Sequence, residues 1–427
     1  MGAILFITFF LMLVINTPVG FALGIACLAA VYLTSAVDPV TIAHGMYVGT
    51  NSYAMIAIPF FMLAGELMNL AKITDRLLTL AGALVGHIRG SLAQITVVTG
   101  MFFGGISGSS SAEAAAIGSI MIPSMVKRGY EKGFAVAITV TSATIGSIIP
   151  PSINMVIYGV VAGVSIGELL LGGFIPGVIT GLGLMLVSYF YAVKHNYGKS
   201  ESRFSLREAY KGLKGSAVAL LMPFIIVGGI VGGMFTATES SAIAVIYGLI
   251  VAFFLYRNVS VKEVCGVIPR VALTSAITML LAATSQSFAY LLTYERIPDK
   301  LTQGILTVTD NRHLFMLLAI AFLLFLGTFM APIPAMMITT PLLAPIVKTI
   351  GFDPVHFGVV VVYALNIGML TPPVAAVLFV GCSIGKISVG EVIKPLIPLL
   401  ISMVIVCLLI AFVPELVLAV PKYFMRR

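Results

Sequence analysis

Apolar runs long enough to cross a membrane alternate with short polar segments along the 427-residue chain. This pattern predicts an all-α, polytopic integral membrane protein with room for about a dozen spans of ~20 apolar residues. The apolar segments of the first half are 1–16, 20–36, 54–70, 91–126, 134–162 and 168–193. Those of the second half are 216–235, 240–256, 268–292, 322–346, 363–381 and 392–420. Between them, a polar connection is predicted at 38–53, an amphipathic piece after Arg76 that ends at Arg89, and an amphipathic connector at 295–312.

Glycines and serines interrupt segment 91–126 at its centre, in the sequence GGISGSSSAEA that begins at Gly104. One interpretation is a re-entrant hairpin, because non-helical backbone at membrane depth survives only inside protein or beside a watery cavity. The other is a helix–helix contact, since small residues allow close approach of two helices. This segment alone does not decide between the two.

Two adjacent prolines interrupt an apolar segment in each half, at Pro150-Pro151 and at Pro372-Pro373. Such pairs cannot lie in an unbroken helix, because they remove amide donors and clash with the preceding turn. The separation of 222 positions that relates these pairs also relates Gly146 to Gly368, Gly159 to Gly381 and Pro176 to Pro398. The shared register predicts an internal repeat.

The segment 194–215 is predicted as a loop that divides the repeats, and it carries six basic and two acidic residues. The positive-inside rule therefore places it in the cytoplasm, together with the basic loop 127–132. Counting spans from there makes the two hairpins open from opposite sides, although the basic tail after Lys422 then falls outside the cytoplasm. Inverted repeats, each with a re-entrant hairpin and a broken helix, indicate a secondary transporter and favour the hairpin interpretation.

Charged residues make up only 9% of the chain and hydrophobic residues 59%, so the sequence predicts almost no soluble domain. Once the loops are assigned, no basic face remains for nucleic acid. The four cysteines and five histidines have no metal-binding spacing, and no phosphate-binding loop points to ATP. An intramembrane enzyme has no catalytic dyad to support it, and a channel remains as a further alternative.

Six sequence pieces, spread over nearly the whole chain, resemble the large membrane subunit of the tripartite ATP-independent periplasmic (TRAP) transporters. They are PFFMLAGELM (59–68), GGISGSSSAEAAAIG (104–118), IGSIIPPS (145–152), FTATESSA (235–242), GFDPVHFGV (351–359) and IGMLTPPVAAVLFV (367–380). The chain departs from the family pattern at the second hairpin tip. Many members carry an acidic residue after the methionine there, whereas this chain has Ala331. The departure weakens a dicarboxylate assignment and favours a sugar acid such as sialic acid.

The resemblance implies a sodium-driven importer of small organic acids in the inner membrane of a bacterium. It implies two partners, which are a small four-helix membrane subunit, expected as a separate chain, and a periplasmic substrate-binding protein. It also implies an elevator mechanism. The predicted scaffold is then 1–90 and 216–313, and the predicted transport domain is 91–193 and 314–421. The alternative within transport is a self-sufficient sodium/dicarboxylate-type carrier that needs no binding protein.

Sodium prefers oxygen ligands, which transporters supply largely from carbonyl groups where helices break. The first predicted sodium site combines Ser107, Ser110, Gly146, Ile149 and Pro151, and its repeat counterpart combines Gly327, Gly368, Thr371 and Val374.

An anionic substrate favours the amide ends of half-helices. The residues predicted to line its site are Ser109, Ser152, Asn154, Ala331 and Asn366. No arginine lies at a hairpin tip. Among acidic residues at membrane depth, Glu66 and Glu113 are functional candidates, whereas Glu239 is expected to cap a helix.

Overall fold

The computed structural model describes residues 1–197, 204–308 and 311–425, and every regular element in these ranges is a helix. The helices of the first half are α1 (Gly2–Val14), α2 (Val19–Thr34), α3 (Val40–Thr50), α4 (Ala57–Leu70), α5 (Ile73–Val85), α6 (Ser91–Ser107), α7 (Ser110–Lys127), α8 (Lys132–Ile145), α9 (Ile153–Ala162), α10 (Ile166–Gly172) and α11 (Phe174–Lys194). Those of the second half are α12 (Leu206–Val231), α13 (Ala237–Ile250), α14 (Val261–Tyr294), α15 (Ile297–Val308), α16 (Arg312–Phe329), α17 (Pro332–Ile350), α18 (Pro354–Gly368), α19 (Ala376–Gly385), α20 (Val389–Phe412) and α21 (Glu415–Met425). A short 3₁₀ turn precedes α4, and a π-helical turn follows α13.

Both halves contain the predicted hairpin and the predicted broken helix. The hairpins are α6–α7 and α16–α17, and the broken helices are α8–α9 and α18–α19. Within the described residues, eight helices are long and apolar enough to cross a membrane by length and composition. The predicted fold class, a polytopic all-α membrane protein built from repeats, is confirmed.

The two halves interlock around their broken helices. The second arm of the first hairpin, α7, packs against α8 of its own half and against α19 of the other half. In the same way α17 packs against α18 and against α9. Each hairpin tip therefore lies beside the break of its own half, while its second arm contacts the half-helix of the other.

The other helices form a second group, in which α14 packs along α2, α3 and α4, α13 packs on α4, and α12 packs on α5. This group contacts the hairpins through α4, α5 and α12 against α6, and through α14 against α17. The division of the chain into a scaffold and a transport domain, one fixed and one moving, stays a prediction.

The prediction of a polar connection at 38–53 is wrong, because Val40–Thr50 form α3. The Asp38 side chain accepts a hydrogen bond from the Val40 amide at 2.8 Å, which starts the helix. Gly45 and Gly49 then allow α3 to lie directly on α14. Small residues at a helix contact, rather than a long apolar run, hold this element in place.

The boundaries of the predicted loop 194–215 are also wrong, since α12 already begins at Leu206. Ser205 caps this helix by accepting a hydrogen bond from the Glu208 amide, and Gly212 packs against Leu80 of α5. The basic residues of 206–215 therefore form the amphipathic start of α12, ahead of its apolar part. Residues 198–203 of the predicted loop lie outside the described residues.

The predicted final span 392–420 consists of two helices, α20 and α21, which Val413 and Pro414 separate. Proline lacks the amide that a continuous helix would need. Glu239 caps α13 as expected: its carboxylate accepts the Thr236 amide at 2.7 Å, and the Thr236 hydroxyl accepts the Glu239 amide.

Candidate transport site

The tip of the first hairpin is a tight turn. Gly108 follows α6 in left-handed backbone (φ 60°), and Ser109 is extended before α7 begins. A Cβ added to Gly108 would lie 3.0 Å from the carbonyl oxygen of Pro151. Glycine is therefore needed at 108 for its conformation and for the close approach of the tip to the break after α8.

The break of the first half runs from residue 146 to residue 152, between α8 and α9. The Pro150–Pro151 peptide is cis, as is Pro372–Pro373 in the second half. Ser152 caps α9: its hydroxyl accepts the Met155 amide at 3.3 Å and donates to the carbonyl of Ser147. The break therefore brings the carbonyl end of α8 and the amide end of α9 to the hairpin tip.

Hydroxyl groups join the tip to the break. Ser110 Oγ donates to Ser147 Oγ at 3.1 Å, and Ser147 Oγ donates to the Thr144 carbonyl at 2.9 Å. Ser147 was missed by the prediction although it lies inside the IGSIIPPS motif. A serine within a helix break, next to exposed carbonyls, was the signal that could have found it.

The first predicted sodium set is only partly brought together. Ser110, Gly146 and Pro151 lie where the tip meets the break. Ser107 ends α6 at the tip and lines the cavity there, while its carbonyl oxygen approaches α4, since a Cβ on Gly65 would lie 3.1 Å from that oxygen. The side chain of Ile149 packs against Gly177 of α11, so only its backbone remains available at the break.

A glycine pair forms the closest contact between hairpin and broken helix in each half. A Cβ on Gly146 would lie 2.9 Å from Cα of Gly104, and a Cβ on Gly368 would lie 2.6 Å from Cα of Gly327. The predicted pairing of Gly327 with Gly368 agrees with this geometry, whereas Gly104 was missed. The crossing needs glycine in both helices because no side chain fits between them.

The second tip is joined to its break through the backbone. The amide of Val374 donates to the carbonyl of Thr328 at 3.0 Å, and the amide of Thr371 donates to the carbonyl of Gly368 at 2.9 Å. The Val374 side chain is exposed. Thr371, Val374 and Gly368 are thus gathered at the break by hydrogen bonds of the backbone.

Both junctions fit sodium in the chemistry of their donors, which are carbonyl and hydroxyl oxygens at the ends of helices. Within the described residues, no group of three His, Cys, Asp or Glu side chains fits a transition metal. The first junction also holds Glu113, a fully buried carboxylate whose two oxygens have no hydrogen-bond partner among the described residues. An orphaned carboxylate beside carbonyl groups is the feature expected where a cation binds.

A cavity of about 290 Å³ lies between the two hairpin tips and helices α4 and α14. Four of the five predicted substrate residues line it: Ser109, Asn154, Ala331 and Asn366. Ser152, the fifth, is not among the lining residues and instead caps α9 behind them. Asn154 Nδ2 donates to Asn366 Oδ1 at 3.4 Å, so an amide pair joins the two halves at this cavity.

Three helices begin at this cavity, namely α7, α9 and α17, and their first residues line it. The amide groups in the first turn of a helix lack intrahelical partners, and the helix dipole makes this end attractive to anions. α17 begins Pro332-Ile333-Pro334 and offers fewer amide donors than α7 and α9, because proline has no amide hydrogen. The convergence of the three positive helix ends creates a surface that suits an oxyanion.

Arg270 of α14 and Glu66 of α4 also line the cavity, and they come from the opposite wall. Neither has an ion-pair partner within 4.0 Å among the described residues. Arg270 was missed because a basic group was expected only at the hairpin tips. Its signal was an arginine within an apolar span, which is unusual and functional by default.

The comparisons with known proteins agree with this arrangement. A sequence profile of the tripartite ATP-independent periplasmic transporter DctM component matches residues 6–416. The chain belongs to this family. DctM proteins are inner-membrane permeases that carry out binding-protein-dependent secondary transport of organic acids, and they are not enzymes. The predictions of family, of membrane location and of a non-enzymatic role are confirmed.

Several DctM relatives are similar over nearly the whole chain. The uncharacterized protein YgiK of Salmonella typhimurium is 42% identical over 424 residues, which cover 99% of this chain and 97% of that protein. The sialic acid TRAP transporter large permease SiaM of Vibrio cholerae is 38% identical, covering 96% of this chain and 95% of SiaM. The isethionate TRAP transporter permease DctMQ of Oleidesulfovibrio alaskensis is also 38% identical, covering 99% of this chain and 66% of DctMQ.

Among solved structures, the YdaH transporter of Alcanivorax borkumensis has a similar fold. The TM-score is 0.60 at 12% sequence identity, and the similarity covers 86% of each chain. At this identity the likeness concerns the fold alone.

Proposed function

We propose that this DctM chain imports a small organic acid by sodium symport and that the acid binds in the cavity between the hairpin tips and α14. The observation that carries the proposal is the convergence of three helix N-termini and Arg270 on one cavity. Amide groups and a guanidinium are the partners that a carboxylate or sulfonate prefers. The cavity volume of about 290 Å³ is of the size that small-molecule sites have.

Sodium coupling is supported by the two junctions described above. Each gathers carbonyl groups at the end of a half-helix, and each lies beside a tip that also lines the cavity. Occupation of the junctions by sodium would hold the tips against the breaks and thereby shape the anion site. This arrangement links ion binding to acid binding without a direct contact between the two.

The family implies the partners, which we propose for this chain as well: a small four-helix membrane subunit and a periplasmic substrate-binding protein that delivers the acid. We also propose an elevator movement, in which 91–193 and 314–421 move against a scaffold of 1–90 and 216–313 embedded in the lipid bilayer. The cavity lies at the boundary between these two parts, as such a movement requires.

The relatives support a small organic acid as the substrate, since their names include sialic acid, isethionate and C4-dicarboxylates. Ala331 lines the cavity at the position where many members of the family carry an acidic residue, and this departure weakens a dicarboxylate assignment. We propose sialic acid or another sugar acid first and a dicarboxylate second.

The test is uptake into proteoliposomes that contain this chain and its small subunit, with the binding protein outside. We expect an inward sodium gradient, but not an equal potassium gradient, to drive accumulation of one acid among labelled sialic acid, isethionate and succinate. Strong uptake without the binding protein would instead support the self-sufficient sodium/dicarboxylate-type carrier. Equilibration without accumulation would indicate a channel.

A further inference from the structure

Glu113 lies in the first turn of α7, three residues after the hydroxyl group that joins the tip to the break. Its side chain is fully buried, with 0% of its surface exposed, and neither carboxylate oxygen has a hydrogen-bond partner among the described residues. Leaving an ionised carboxylate in this state is costly, because burial removes its hydration and nothing replaces it.

The surroundings of Glu113 are formed by the closest part of the junction. A Cβ added to Gly146 would overlap Oε2 of Glu113, and a Cβ added to Gly100 would lie 3.2 Å from Oε1. The same position on Gly100 is 2.8 Å from the carbonyl oxygen of Ser142, in the last turn of α8. The carboxylate therefore shares its surroundings with the carbonyl end of α8, which carries partial negative charge.

Within the described ranges, no basic side chain on the helices packed against α7 lies near enough to compensate this negative charge. The helices that pack against α7 are α6, α8 and α19. Neither α6 nor α19 contains a lysine or an arginine. Lys132 at the start of α8 and Lys127 at the end of α7 are each about 20 Å along their helices from Gly146 and Glu113. The first turn of α7 favours a carboxylate through its dipole, but it does not neutralise the carbonyl groups around it.

We propose that Glu113 supplies the negative charge of a sodium site at the first junction, between the carboxylate and the carbonyl end of α8. This inference rests on the proposed sodium coupling. The second junction lacks such a group, since Ala335 occupies the position 222 residues after Glu113. The two junctions therefore differ in kind: one binds sodium with a formal counter-charge and the other binds it with dipoles alone.

The test is equilibrium binding of radioactive sodium to the purified complex of this chain and its small subunit in detergent, without substrate. Glu113→Gln keeps the size of the side chain and removes its charge. We expect the variant to bind sodium at least tenfold more weakly at one site while sodium bound at the other site is retained. Glu113→Asp, which keeps the charge on a shorter side chain, should be intermediate. Glu415→Gln, at the exposed start of α21, is the matched control and should bind as the native chain does.

Thermal unfolding in sodium and in choline gives an independent measurement, because a ligand that binds only the folded state raises its stability. Sodium should stabilise the native complex more than Glu113→Gln, and the variant must elute as a monodisperse complex. Equal sodium binding by the native chain and Glu113→Gln would overturn the role of Glu113. It would mean that the buried Glu113 side chain is protonated and uncharged. Absence of sodium binding in both would overturn the proposed sodium coupling itself.

Discussion

The closest contacts at the candidate site are made by glycines that have no conformational reason to be there. Gly104, Gly146, Gly327 and Gly368 lie in or at the end of helices with ordinary right-handed backbone, so their role is to remove a side chain from a crossing. Glycine costs roughly 1 kcal/mol relative to alanine within a helix. Its use at four related positions indicates that close packing of tip and break outweighs this cost.

Gly146→Val and Gly368→Val should each abolish uptake, because the added side chain meets the backbone of the partner glycine and, at 146, the carboxylate of Glu113. Overpacking of this kind lowers the free energy of unfolding by about 1–3 kcal/mol. Sodium-driven uptake and the melting temperature in detergent are the measurements. Gly228→Val in α12, where a Cβ meets nothing within 4 Å, is the control and should remain active. Near-native uptake by both site variants would contradict the tight crossing.

Arg270→Gln should raise KM for the transported acid about tenfold, because a hydrogen bond to a charged group contributes about 1.5 kcal/mol at a partly open site. Arg270→Lys, which keeps the charge, should have a KM between that of the native chain and that of Arg270→Gln. Lys262→Gln on the exposed start of α14 is the matched control. The measurement is uptake at saturating binding protein over a range of acid concentrations. If KM is unchanged in Arg270→Gln, the guanidinium does not contact the acid.

At the scale of elements, the sequence predicted the hairpins and the broken helices because glycine and proline act locally. Pro150-Pro151 and Gly108 break or turn the backbone whatever surrounds them, and the second half repeats the same signals. By contrast, α3 was missed because Gly45 and Gly49 act as packing residues only where α14 lies against them, and the sequence does not show that contact.

The candidate site was predictable to the extent that it consists of backbone at breaks. Ser109, Asn154, Ala331 and Asn366 were found because each stands next to a break, and all four line the cavity. Arg270 and Glu66 could not be placed there, since only the packing of α4 and α14 against the tips brings them to it. Glu113 was a candidate because of its charge, but its burial and its lack of a hydrogen-bond partner depend on the tertiary structure.

The orientation of the hairpins in the membrane is predicted from the distribution of basic residues among the loops. A cysteine at Arg128, in the turn after α7, should be labelled only from the cytoplasmic side, whereas one at Lys300 in α15 should be labelled only from the periplasm. Both positions are exposed, so accessibility should depend on the side of the membrane alone. Membrane-impermeant thiol reagents on right-side-out and inside-out vesicles provide the measurement. Labelling of both positions from one side would contradict inverted repeats.

For the whole molecule, the elevator proposal requires the two helix groups to slide past each other. Gly167 of α10 and Ile230 of α12 touch across their boundary, where a Cβ on Gly167 would lie 2.9 Å from Cγ2 of Ile230. With Cys265 replaced by serine, a disulfide between Gly167→Cys and Ile230→Cys should stop uptake, and reduction should restore it.

A matched cross-link lies within the proposed scaffold. Gly212 in α12 touches Leu80 in α5, since a Cβ on Gly212 would lie 3.1 Å from Cα of Leu80, so Gly212→Cys and Leu80→Cys form the comparison pair. Oxidation of this pair should leave uptake unchanged. Full uptake by the oxidised 167–230 pair would mean that the boundary between the helix groups does not move.

The length of α14 has a consequence for the lipid in which the protein works. Its 34 residues extend about 50 Å, whereas the hydrocarbon core of a bilayer is about 30 Å thick. The helix must therefore lean or project beyond the core, and its inclination responds to bilayer thickness. Arg270, Val271 and Thr274 belong to this helix and line the cavity. Reconstitution in lipids of increasing acyl-chain length should therefore change KM for the acid while its affinity for the binding protein stays constant. The thickness of the surrounding membrane is in this sense a parameter of the binding site.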